Sequence, residues 1–167
     1  MTTQQLAKKL VNELTKRELT VATAESCTGG LIAKLITDIA GSSAVLLGGF
    51  VTYTNQAKIG LLDIDPAIIE VETEVSYACA KAMAEGARTR LGATFGVSTT
   101  GFAGPTGGTD ADPVGTVYIG VSTPSGTVCE RFCAQQGASR TQVRNAAAQR
   151  ALELLLTAAD RADKHEF

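Results

Sequence analysis

TVATAESCTGGLIAKLITDIAG, residues 20–41, is the stretch on which the fold turns. Residues 20–25 are small and β-branched, the composition of a buried strand. SCTGG, 26–30, is a turn of small residues, and LIAKLITDIA then reads as an apolar helix closed by Gly41. Strand, small-residue turn and helix open an α/β unit. Upstream, Leu6, Leu10, Val11 and Leu14 recur at helical spacing and predict an amphipathic helix over 3–18. Downstream, LLGGFVTYT (46–54) is a second strand, its paired glycines hinting at a bulge or a close approach. NQAKIGLLDIDP reads as a connector, with Pro66 opening a short helix. An Ala-rich helix spans 74–91 and stops at Gly92, and ATFGVSTT (93–100) is a buried strand. After the loop GFAGPTGGTDADPVG (101–115), TVYIGVST and TVCERFCAQ flank Pro124-Ser125-Gly126 as a hairpin. Ser139 caps a last helix running to about Ala162, with Val143, Ala147, Ala151, Leu154 and Leu155 on its inner face. The expected fold is one α/β domain with a mixed sheet and helices on both faces.

Composition bounds the function. A chain of 167 residues is about one domain, and 44% hydrophobic with 19% charged residues is the balance of a folded one. A net charge of −2 supplies no positive field for a phosphodiester backbone, so nucleic acid is a poor partner. No apolar run reaches the roughly 18 residues of a membrane span, and the amphipathic start has no signal-peptide core. A soluble, cytoplasmic protein is expected. Cys27, Cys79, Cys129 and Cys133 read as reduced thiols, and their spacings complete no zinc set. The one histidine, His165, lies in the charged C-terminal stretch DRADKHEF, which is expected to fray from about residue 158. A proton carrier must then be a carboxylate, a Tyr or a Lys.

Three segments are candidates for chemistry. In AESCTGG (24–30) the N–H groups at a helix start can attract an anion or polar ligand; Ser26 or Thr28 equally suits a helix cap. Cys27 there could be a nucleophile, although no His serves it. Gly41-Ser42-Ser43, with Tyr53 and Lys58 further on, could form a serine site in which a desolvated, neutral Lys takes the proton and Tyr relays it. It could equally be an ordinary turn with a solvated Lys. The glycine loop from Thr100 through Gly101, Gly104 and Gly108 could cradle a phosphate or sugar, although it fits neither the P-loop nor the dinucleotide pattern. Asp110 and Asp112 could hold Mg²⁺, and Arg140 could clamp an anion; each also suits a plain surface role.

Taken in order, AESCTGG (24–30), TDIAGSSA (37–44), GFVTYTNQAK (49–58), GFAGPTGG (101–108) and PVGTVY (113–118) resemble the C-terminal domain of the competence/damage-inducible protein A (CinA) family. The resemblance covers roughly residues 5–157. It implies a three-layer α/β/α sandwich, usually oligomeric, and hydrolysis of the carboxamide of nicotinamide mononucleotide to nicotinate mononucleotide and ammonia, as in the family's stand-alone amidases. It implies Ser43 as nucleophile, with Tyr53 and Lys58 as its catalytic partners. It places substrate contacts at Ser26, Thr100 with Gly101 and Gly104 of the glycine loop, and Arg140. No metal or organic cofactor is implied. The large N-terminal domain of two-domain members has no counterpart here, so its chemistry is not expected. Two other readings stand beside this one: a nucleotide- or protein-binding regulatory module without turnover, and a hydrolase of another amide-bearing nucleotide.

Overall fold

Every residue from Val21 to Glu25 is buried, because β1 (Val21–Glu25) is covered on both faces of a five-stranded sheet. The computed structural model describes residues 1–162. Around β1 the chain builds α1 (Thr3–Lys16), α2 (Leu31–Thr37), a 3-10 turn at Ser42–Ala44, β2 (Leu46–Val51), α3 (Asn55–Leu62), α4 (Pro66–Glu72), α5 (Tyr77–Leu91), β3 (Phe95–Gly101), β4 (Thr116–Thr123), β5 (Gly126–Cys133) and α6 (Arg140–Ala162). The strand order is β2-β1-β3-β4-β5. β2, β1 and β3 run parallel, while β4 and β5 are antiparallel, so the sheet is mixed as expected. Helices α1, α2 and α6 bury Leu10, Leu14, Ile32, Ile36, Leu152 and Leu155 on one face. On the other, α5 lies across β1, β3 and β4, with α3 and α4 packed against it.

Close packing explains the small residues. A Cβ on Gly96 would strike the Ala84 carbonyl, and one on Gly120 would strike that of Ala80. The sheet is bare at those two points, so α5 rests its backbone directly on it.

The structure differs from the sequence expectations at several places. Residues 55–62 are the helix α3 rather than a connector. Thr54 caps it by accepting from the Ala57 N–H at 3.1 Å. Only Lys58 and Leu62 of α3 are buried, so it has almost no apolar periodicity to read. The helix expected to run to Gly41 stops at Thr37, and the chain tightens into turns before β2. The helix expected from 74 starts at Tyr77, capped by Ser76. On α6, Leu152 is fully buried where Leu154 was expected; Leu154 is half-buried. The Ser139 cap is present, with Ser139 Oγ accepting from the Gln142 N–H and Gln142 Oε1 accepting from the Ser139 N–H. The helix holds through the expected start of fraying at 158 to Ala162, and His165 lies outside the described residues.

Candidate active site

Parallel strands β2, β1 and β3 all end at one edge of the sheet, where side chains from several segments converge. A cavity of about 420 Å³ opens there, lined by Ser26 and Cys27 after β1, Tyr53 and Lys58 after β2, and Thr100 to Ala103 at the end of β3. Glu74 and Arg140 complete the wall.

The Ser26 turn is held by a carboxylate. Glu25 is fully buried, and its Oε2 accepts from Thr28 Oγ1 at 2.6 Å, the Gly30 N–H at 3.1 Å and the Ile32 N–H at 3.0 Å. Its Oε1 accepts from the Ala33 N–H at 2.9 Å. These are the donors that the sequence offered to an external anion; the protein's own carboxylate occupies them. Neither Ser26 nor Thr28 caps α2, whose N-cap is Gly30 in a left-handed conformation. From the opposite side Arg144 donates to the carbonyls of Cys27 at 3.1 Å and Thr28 at 2.9 Å. The turn is thus gripped by an acid and a base, and Ser26 faces the cavity.

Lys58 meets it there. The side chain is 1% exposed, and Nζ donates to Ser26 Oγ at 3.2 Å and to the Thr52 carbonyl at 3.0 Å. A charged ammonium has three protons to place, and two acceptors are in reach. Burial pulls the Lys58 amine below its ordinary value of 10.5, against the opposing pull of Cys79, Glu74 and Cys27. Burial also pushes the Cys27 thiol up to about 12 and the Cys79 thiol up to about 11. Both are neutral near pH 7, so Cys27 is a packed thiol and no thiolate holds the proton on Lys58.

Of the other expected site residues, Tyr53, Thr100, Gly101 and Arg140 line the same cavity, and Ser43 does not. Ser43 is exposed in the 3-10 turn ahead of β2, whereas Lys58 and Ser26 lie beyond the ends of β2 and β1. Six strand residues put about 20 Å between the two ends of the sheet. Within one chain Ser43 therefore does not meet Lys58; the serine that does is Ser26. Tyr53 is 60% exposed and stands at the rim, its hydroxyl accepting from Arg140 Nη2 at 3.1 Å rather than bridging Ser and Lys. Arg140 Nη1 donates to the Gly104 carbonyl at 2.8 Å, so Arg140 ties Tyr53 to the glycine loop at the cavity mouth. Thr100 is buried, and its hydroxyl donates to the Glu74 carbonyl at 2.6 Å; Gly101 lines the cavity beside it. Asp112 accepts from Tyr118 and pairs with Arg131 at 2.9 Å, which makes it a brace for the loop. Among the described residues no group of His, Cys, Asp and Glu could hold a metal ion.

Three residues here escaped sequence reading: Glu25, Glu74 and Arg144. Arg144 had a legible signal, since it follows Arg140 by one helical turn and so shares its face. Glu25 had a weaker one, an acid closing a buried strand before a glycine turn.

Comparison with known proteins agrees with this architecture. A family model described as the CinA C-terminal domain matches residues 3–159. A CinA-like protein of Chlorobaculum tepidum is 54% identical over 125 residues, covering 74% of this chain and 30% of its own length. One from Myxococcus xanthus is 46% identical over 147 residues, covering 87% of this chain and 34% of its own length. The chain thus spans about a third of these relatives. Among solved structures, a competence/damage inducible protein from Agrobacterium tumefaciens superposes with a TM-score of 0.90 at 42% identity, covering 95% of each chain. A CinA superfamily protein from Escherichia coli gives 0.89 at 32% identity, covering 94% of this chain and 90% of that one.

Proposed function

The chain belongs to the CinA C-terminal domain family, and we propose that its cavity hydrolyses the carboxamide of nicotinamide mononucleotide with Ser26 as nucleophile and Lys58 as base. The observation that carries this is the buried Lys58 amine, 3.2 Å from Ser26 Oγ and biased by burial toward its neutral form. Neutral Lys58 takes the Ser26 proton as Oγ bonds to the carboxamide carbon. Negative charge gathers on the former carbonyl oxygen, where the Cys27 N–H, which makes no backbone hydrogen bond and lies in the cavity wall beside Ser26, is a candidate donor. Lys58 returns its proton to the departing nitrogen, the C–N bond breaks, and ammonia leaves an acyl ester on Ser26. Water then attacks that ester, giving its proton to Lys58. The C–O bond to Ser26 breaks, the proton passes back to Oγ, and nicotinate mononucleotide is released. Arg140 and the glycine loop hold the phosphate at the mouth, with Tyr53 orienting the guanidinium.

A second reading keeps Ser43 as nucleophile and requires another copy of the chain. β2 is an edge strand with Leu47 and Val51 exposed, so it is free to pair with its own copy. Antiparallel pairing would carry one copy's Ser43 toward the other's Tyr53.

The test is ammonia release from nicotinamide mononucleotide, with chelator present, by the wild type, Ser26→Ala and Ser43→Ala. Loss of ~10³-fold or more in Ser26→Ala alone is expected. Loss only in Ser43→Ala moves the nucleophile to the oligomer reading. Tight nucleotide binding with no ammonia from any of them leaves a binding module.

A further inference from the structure

Glu74, in the short link between α4 and α5, is held by its backbone and left open at its side chain. Thr100 Oγ1 donates to its carbonyl at 2.6 Å, which fixes the segment against the end of β3. Glu74 lines the same cavity as Ser26 and Lys58, and its half-buried carboxylate stands close enough for its charge to act on the Lys58 amine. Among the described residues it accepts no hydrogen bond and joins no ion pair, although its charge reaches Lys58. The cavity wall carries the Glu74 carboxylate beside Lys58, whose amine burial pulls below its ordinary value, and the Arg140 guanidinium at the mouth.

A partly buried carboxylate that accepts no hydrogen bond within the protein is open to a cation brought by a ligand. The charge order of the cavity matches a ligand whose reacting end is a cationic ring and whose far end is an anion. We propose that Glu74 is a specificity-determining residue that selects a positively charged heteroaromatic ring bearing the carboxamide, and rejects the same nucleotide with an uncharged ring. This rests on the amidase reading of the same cavity. Neither Ser26 nor Lys58 can make that selection, because each is neutral in the reactive state and engages only the amide.

The test compares binding of nicotinamide mononucleotide, whose ring is cationic, with its dihydro form, whose ring is neutral and nearly isosteric. Both are titrated calorimetrically at one pH into the full chain carrying Ser26→Ala, which prevents turnover. The expected result is at least tenfold tighter binding of the cationic ring. Adding Glu74→Gln abolishes that preference while changing affinity for the neutral ring less than twofold, and Glu74→Asp keeps most of it. Equal binding of the two rings, a preference that survives Glu74→Gln, or no binding of either nucleotide overturns the proposal. Ammonia release by the wild type decides the amidase reading separately. A charge preference lost in Glu74→Gln without any ammonia release would leave the cation site standing and remove the reaction.

Discussion

Lys58 determines both what the cavity can do and what it costs the fold. Its amine is lowered by burial, so the unfolded chain binds the proton more readily than the folded one. The stability penalty is therefore full below the folded pKa, and it fades as pH rises toward 10.5, where the unfolded amine also loses its proton. Activity that needs the neutral amine rises through the same folded value, so the acid limb of the pH–rate profile should lie below 10.5. Lys58→Met is expected to abolish ammonia release while raising the thermal midpoint, a pairing that calorimetry and an activity assay check together. The thiols give an independent measure of burial. At pH 8, iodoacetamide should label exposed Cys133 and spare Cys27, held up to about 12, and Cys79, held up to about 11; mass spectrometry of the digested native protein reads this directly. Residue chemistry was partly legible in sequence. The single histidine in DRADKHEF left a carboxylate, a Tyr or a Lys as proton carrier, the resemblance pointed to Lys58, and the structure shows Lys58 as a buried amine. Its serine partner was not legible, because Ser26 and Ser43 are both small-residue turn positions and only the strand direction separates them.

At the scale of elements, the β1–α2 turn is where sequence pattern misled. Glycine, serine and threonine at a strand-to-helix junction suggest open N–H groups, and their number conceals that the preceding acid takes them. Glu25→Ala would leave several buried donors unsatisfied and release the Ser26 turn. A loss of about 3 kcal/mol is expected, with a fall of roughly 10 °C in melting temperature and a loss of activity larger than the unfolded fraction explains. Urea titration of the variant beside its ammonia release tests both parts. α3 escaped for the opposite reason. It turns a lysine inward and leaves Leu61 outside, so its buried face has no apolar stripe. A helix that exists to deliver a buried amine looks polar when read for periodicity.

For the whole molecule, the decisive contact is α5 lying on the bare backbone at Gly96 and Gly120. Gly120→Val should force the helix off the sheet and cost about 3 kcal/mol, read as a lower midpoint in urea with little change in slope. Activity per folded molecule should fall too, because α5 carries Cys79, which lies within electrostatic reach of Lys58, and starts soon after Glu74. Among the described residues no helix is long and apolar enough to cross a membrane. The sequence by itself determined the strand and helix alternation, the hairpin of β4 and β5 and the cap at Ser139. Those follow from local spacing and turn chemistry, which need no knowledge of what lies across the core. Only the tertiary structure decided which serine meets Lys58, that Glu25 fills its own helix start, that Tyr53 and Arg140 meet at the rim, and that Glu74 stands open in the cavity. Each of those is a contact between segments distant in sequence or a choice among equivalent local donors. It is settled by the parallel direction of β1, β2 and β3, which brings their ends to one edge and carries Ser43 to the other.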